Sequence, residues 1–156
     1  MLQVNVPGFG DLTLHHLALD LNGTIAVDGE VLPGVEECLL KIAQHLTVHL
    51  VSADTRGKAV QTASHLGVNL VRIERGKELQ QKGQFVWSLG ATDVVAIGNG
   101  ANDAQMLGAA GLGIAVLGPE GCALEALQAA DVVVPSIGSA LDLLLNAQRL
   151  IATLRR

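Results

Sequence analysis

Asp20 closes the apolar run Leu17-Ala18-Leu19 and opens into Leu21-Asn22-Gly23-Thr24, which sets a carboxylate at the entrance to a glycine turn. A carboxylate so placed can attack phosphorus and carry an aspartyl-phosphate. Gly23 is expected to let backbone N–H groups approach phosphate oxygens, since a side chain there would obstruct the turn. Further along, Ser52 ends another apolar run, and Asn99 and Asp103 follow a third, Val94–Gly98. Ser52 offers a hydroxyl donor, and Lys82 a cation to offset charge on a transferring group. Lys77 lies on the same expected helix and competes with Lys82, which its spacing to Asn99 favours. Asp20 and Asp103 could hold Mg²⁺, which takes one or two protein carboxylates and leaves its other positions to water and phosphate. Phosphoryl transfer needs little beyond this positioning and neutralisation.

For these residues to meet, the runs that carry them must be neighbouring parallel strands, whose carboxyl ends line one crevice. Apolar runs do alternate with amphipathic stretches of roughly 10 to 15 residues, the pattern of βαβ units. Strands are expected at Leu17–Asp20, Thr47–Ser52, Leu70–Ile73, Val94–Gly98, Gly113–Val116 and Val132–Val134. Most are too apolar to have a wet face, as in a sheet covered on both sides. Helices are expected at Gly34–His45, Gly57–Leu66, Lys77–Leu89, Ala101–Ala109, Glu120–Ala129 and Ser139–Leu154. Leu2–Val6 and Asp11–His15 should pair through Pro7-Gly8. The stretch from Ile25 to Leu32 reads as a small hairpin turning at Asp28-Gly29, a flap over Asp20. The fold class is α/β: a Rossmann-like three-layer sandwich, mainly parallel, with no cap domain.

Composition narrows the function. The chain has 156 residues, 49% of them hydrophobic, and a mean hydropathy of +0.42, which suits one domain over 1–156. A net charge of −5 and only Trp87, Phe9 and Phe85 as aromatics argue against nucleic acid as a partner, because that binding draws on clustered cations and stacking platforms. Cys38 and Cys122 have neither the spacing of a metal site nor the density of a disulfide scaffold, so a reduced, cytoplasmic setting is expected. The N-terminus does not read as a signal peptide, and no run of about 18 apolar residues predicts membrane insertion.

Taken together, Asp20-Leu21-Asn22-Gly23-Thr24, Val51-Ser52, Lys82 and Ile97-Gly98-Asn99-Gly100-Ala101-Asn102-Asp103-Ala104 match, in order and spacing, the four signatures of the haloacid dehalogenase superfamily. The last, running on to Gln105-Met106-Leu107, is similar to the hinge of P-type ATPase phosphorylation domains. The resemblance spans roughly 17–134 and points to the small soluble P-type-ATPase-like group. It implies a Mg²⁺-dependent phosphohydrolase, with Asp20, Asn22, Ser52 and Lys82 as catalytic positions. Asp20, Leu21, Asn22, Gly23, Ser52, Ala53 and Lys82 would surround the phosphate, and Asp20, Asn22, Asn99 and Asp103 the metal. The substrate would be a phosphorylated small molecule or macromolecule, with a neighbouring subunit of a homo-oligomer as one means of closing the crevice.

Two positions depart from that pattern. Asn22 stands where phosphatases keep an acid/base aspartate, and proton transfer by a positioned group is worth roughly 10²–10⁴-fold. P-type ATPases also lack that carboxylate, consistent with a phosphoenzyme that persists. Asn99 replaces the first aspartate of the last signature and should weaken metal binding. Slow turnover is therefore expected, and a non-catalytic phosphate- or Mg²⁺-binding regulator is the alternative. Both asparagines precede glycine, so each could cyclise and deamidate. Bland roles are expected for Asn102 as a loop hydrogen-bonder, Asp54 and Arg56 as capping or surface groups, and His15 and His16 as packing or edge residues. The apolar C-terminal helix is expected to serve the core, with a surplus for a subunit interface.

Overall fold

The alternation of apolar and amphipathic segments resolves, in a computed structural model describing residues 1–54 and 57–156, into a central sheet between two helical layers. The chain opens with an antiparallel pair, β1 (Leu2–Val6) and β2 (Gly10–Leu14), in the register Leu2↔Leu14. The first core strand β3 (His16–Asp20) leads into a small hairpin, β4 (Ala26–Val27) and β5 (Glu30–Val31). Asp28 at φ 52° and Gly29 at φ 81° form its two-residue turn, the positive-φ pair that suits a tight hairpin. Next come α1 (Val35–Ile42), β6 (Thr47–Ser52), α2 (Lys58–Leu66), β7 (Asn69–Arg72) and α3 (Glu78–Ser88). The chain then builds β8 (Val94–Gly98), a 3-10 turn at Ala101–Asp103, α4 (Ala104–Ala109), β9 (Leu112–Val116) and α5 (Leu124–Ala129). It ends with β10 (Val132–Val134), α6 (Ile137–Leu145) and α7 (Ala147–Leu154).

The six core strands lie in the order β10-β9-β8-β3-β6-β7, and every pairing in this sheet is parallel. From β3 the chain steps outward through β6 and β7, then returns to the other side of β3 with β8. That reversal makes the carboxyl ends of β3 and β8 a topological switch point, where α/β sheets bind ligands. Because crossovers are right-handed, the reversal also sends helices to opposite faces. Leu17, Leu19, Leu50, Ile97 and Ile114 pack with residues of α1, α2, α6 and α7. Ala18, Val51, Ala96 and Ala115 pack with Val86 of α3, Met106 and Leu107 of α4, and Ala126 of α5. The small alanines on the second face let α3 approach closely enough to deliver a lysine to the sheet's end.

Two expectations change. Residues 120–123 are not helical, and α5 begins only at Leu124, because backbone and side-chain bonds tie this loop to Asn99. The expected C-terminal helix is two helices broken at Asn146, whose φ of −129° and ψ of 74° leave the helical region. Its apolar surplus is buried within this chain: Leu141, Leu143, Leu144, Leu150 and Leu154 all join the core. His16, expected to be a packing or edge residue, is a packing one: it lies on the central strand β3 with Nδ1 3.2 Å from His49 Nε2. Burial, and then the charge of His16, lowers the pKa of His49.

Candidate active site

Four chain segments meet at the carboxyl edge of the sheet. Asp20, the last residue of β3, presents a carboxylate whose side chain is 11% exposed. Lys82, from the middle of α3, is almost fully buried, with Nζ 2.6 Å from Asp20 Oδ1 and 2.6 Å from Asp103 Oδ1. Asp103 is wholly buried at the end of the 3-10 turn, where its Oδ2 accepts from the backbone N–H groups of Asn99 at 3.0 Å and Gly100 at 2.9 Å. Gly98 makes room for that carboxylate, since a Cβ there would stand 2.5 Å from Asp103 Cγ. Lys77 is exposed and pairs with Glu74, so only Lys82 reaches the site.

The electrostatics follow from burying two carboxylates around one ammonium. Burial, and next the charge of Asp103, push Asp20 from its ordinary 3.8 up to about 6, against the pull of Lys82 and Thr24. For Lys82, burial works against the charge, but Asp20 and Asp103 outweigh it and hold its pKa above the ordinary value. The trio carries one net negative charge when fully ionised.

Thr24 completes the inner wall. Its buried Oγ1 lies 3.1 Å from Asp20 Oδ2 and 3.1 Å from Asn99 Oδ1, so one hydroxyl spans β3 and β8. Thr24 carries no role in the expected site, although its fixed position after the glycine turn is a usable signal. Ser52, at the end of β6, is buried, and its Oγ accepts from the Asp54 N–H at 3.1 Å. As the acceptor in that bond, it keeps a hydroxyl hydrogen to donate. Asp54 Oδ2 accepts from the N–H of Ala59 in the first turn of α2, which is a capping contact. Arg56 lies outside the described residues.

These groups line a crevice of about 630 Å³ that includes Asp20, Leu21, Asn22, Ser52, Ala53 and Lys82, with the flap residues Ala26, Asp28 and Gly29 along one side. Its outer wall holds Lys58, Arg75, Glu78 and Glu120, which the sequence reading did not single out. Glu120 follows the carboxyl end of β9, and extending the strand-end rule to that strand would have found it. Asn102 also lines the crevice, so it is not confined to bracing its loop.

The Gly23 N–H itself donates to Ala26 O at 2.8 Å. What the turn needs from Gly23 is its missing side chain: at φ 81°, a Cβ would run into the Glu120 carboxylate and stand 2.8 Å from Asn99 Nδ2. Asp103 does not line the crevice, because Lys82 and two backbone amides occupy its carboxylate from behind. The same bonds bear on deamidation. The Gly23 nitrogen donates to Ala26 O and the Gly100 nitrogen to Asp103 Oδ2, so each nitrogen that would attack its preceding asparagine is engaged.

Among the described residues, no three His, Cys, Asp or Glu side chains converge as a metal-holding group. Asp20, Asn22 and Asn99, all of which line the crevice, nonetheless carry hard oxygen donors beside a net negative charge. That set fits Mg²⁺, which keeps several waters and needs only one or two carboxylates.

Comparison with known proteins places this geometry. A family model described as haloacid dehalogenase-like hydrolase matches residues 84–137, which include the Asn99 to Asp103 segment. The chain belongs to the haloacid dehalogenase-like superfamily. Its uncharacterized relative MJ0073 from Methanocaldococcus jannaschii is 52% identical over 62 residues, which cover 40% of this chain and 67% of that protein. The copper-transporting ATPase PAA1 of Arabidopsis thaliana is 32% identical over 123 residues, 74% of this chain but only 12% of the ATPase. The fold of this haloacid dehalogenase-like chain is similar to 3-deoxy-D-manno-octulosonate 8-phosphate phosphatase from Moraxella catarrhalis, a structure solved with magnesium, phosphate and KDO. The TM-score is 0.68 at 18% identity, covering 91% of this chain and 94% of that one. No helix among the described residues is long and apolar enough to cross a membrane.

Proposed function

We propose that this protein is a Mg²⁺-dependent phosphomonoesterase that works through a phosphorylated Asp20. The observation that carries the reading is the buried Lys82 bridging Asp20 and Asp103 at the floor of an open crevice. Near neutral pH Asp20 is largely ionised, yet its raised pKa makes it a stronger nucleophile than an ordinary carboxylate. One Asp20 oxygen forms a bond to phosphorus while the ester P–O bond breaks, and the leaving oxygen takes its proton from solvent water. Water then attacks phosphorus, the P–O bond to Asp20 breaks, and inorganic phosphate departs. Lys82 and the Ser52 hydroxyl offset charge on the phosphoryl oxygens. Asp103 holds Lys82 charged and aimed, and Thr24 fixes the carboxylate's rotation. A Mg²⁺ held by Asp20, Asn22 and Asn99 would neutralise phosphate charge and polarise the bond under attack.

The Asn22 amide has no proton to exchange in this pH range, so release of the phosphoenzyme is slow. The likeness to a copper-transporting ATPase, 32% identical over 74% of this chain, supports the reading of slow turnover. A crevice of about 630 Å³ falls in the range of small-molecule sites, roughly 300–1,000 Å³. We therefore favour a phosphorylated small molecule over a macromolecular phosphoester. Steady-state hydrolysis of p-nitrophenyl phosphate with Mg²⁺ tests the proposal. Asp20→Asn should abolish the activity, and equal rates in variant and wild type would overturn it.

A further inference from the structure

Asn99 does something an aspartate could not. Its Nδ2 donates to Gly121 O at 3.1 Å, and its carbonyl accepts from the Ala123 N–H at 2.8 Å, so the end of β8 is tied twice to the loop between β9 and α5. A carboxylate at 99 would set oxygen against oxygen at Gly121. The tether lays the loop on the glycine turn after Asp20, where the Glu120 carboxylate occupies the space a Gly23 side chain would need. Glu120 thus lines the same crevice as Asp20 and Asn99, while Asp103 is turned away behind Lys82.

Charge gives this placement a consequence. The ammonium of Lys82 is shared between Asp20 and Asp103, and among the described residues the other carboxylates that line the crevice are those of Asp28, Asp54, Glu78 and Glu120. A divalent cation beside Asp20 needs further negative charge, and Glu120 is the carboxylate lying against the turn and the Asn99 amide. We propose that Glu120 is a second anionic partner of the divalent cation in this crevice, acting through a cation-bound water, and that Asn99 is its positioning residue. Carboxylate function has in effect moved from position 99 to the neighbouring loop. The inference rests on the reading of the crevice as a divalent-cation site built on Asp20.

Mn²⁺ titration followed by the loss of its free-ion electron paramagnetic resonance signal tests this without any turnover. Outer-shell partners of a bound metal typically account for 10–100-fold in affinity. Glu120→Gln should therefore weaken Mn²⁺ binding by roughly 10-fold, with an unchanged melting temperature because Glu120 lies exposed on a loop. Glu120→Asp should recover part of the loss. If Asp20→Asn weakens Mn²⁺ binding while Glu120→Gln binds as tightly as wild type, the role of Glu120 is overturned and the crevice reading stands. If Asp20→Asn leaves Mn²⁺ affinity unchanged, the cation site itself is misplaced and the inference falls with it.

Discussion

Replacing Asp20 with asparagine should make the metal-free protein more stable even as it removes the proposed activity. Asp20 sits at a pKa of about 6 against an ordinary 3.8, with burial the largest cause. The folded state therefore favours the protonated form. At 1.36 kcal/mol per pKa unit, that gap corresponds to at most about 3 kcal/mol of cost for keeping the carboxylate ionised. Asparagine resembles the protonated acid in size and charge, so Asp20→Asn removes most of the cost, and a gain of about 1–3 kcal/mol is expected at pH 8. For a chain of this length each kcal/mol moves the midpoint by roughly 2–4 °C, so the variant should melt about 2–12 °C higher. The pH dependence has a fixed sign. A raised carboxylate pKa gives stability that is fully present below 3.8 and lost as pH rises through about 6. The gap between variant and wild type should therefore close toward pH 4 and open toward pH 8. Thermal melts at both pH values, with EDTA present, read it directly. A variant less stable than wild type at pH 8, or a gap independent of pH, would refute the reasoning.

Lys82→Met should cost about 3–5 kcal/mol at pH 8, because it leaves two carboxylates facing each other in a buried site. Urea unfolding should show part of that loss recovered at pH 5, where a bound proton takes the ammonium's place, and equal losses at both pH values would count against the pairing. Asn22→Asp should raise kcat at least several-fold, within the roughly 10²–10⁴-fold that a positioned acid/base contributes. Steady-state kinetics showing no gain would mean that another group already moves the proton.

Much of the sheet was legible because strands buried on both faces have few alternatives. The bounds of β6, β8 and β10 coincide with their apolar runs, β3 and β9 each start one residue earlier than expected, and β7 is shifted by one residue at both ends. The segment at 120–123 misled because its composition suits a helix start, while its conformation is set by two bonds to Asn99, far away in sequence. The break at Asn146 was hidden for a different reason. Leu141, Leu144 and Leu150 bury themselves in one core on either side of it, so the apolar pattern runs on while the backbone turns. The meeting of Asp20, Ser52 and Asn99 could be read from strand ends, and Lys82 from its spacing to Asn99. That Asp103 would turn its oxygens to Lys82 and two backbone amides could not, since orientation within a turn depends on hydrogen bonds that no spacing encodes. Thr24 and Glu120 do stand at readable positions, one after the glycine turn and one past the end of β9, but what each does is set by contacts that no spacing encodes.

The most direct measurement is to quench the wild-type protein with acid during turnover of an aryl phosphate in Mg²⁺ and map the phosphate by peptide mass spectrometry. Hydroxylamine-labile phosphate on Asp20, absent from Asp20→Asn and more abundant in wild type than in Asn22→Asp, is the predicted result. Turnover without phosphate on Asp20, or with a stable phosphate on another residue, would contradict it.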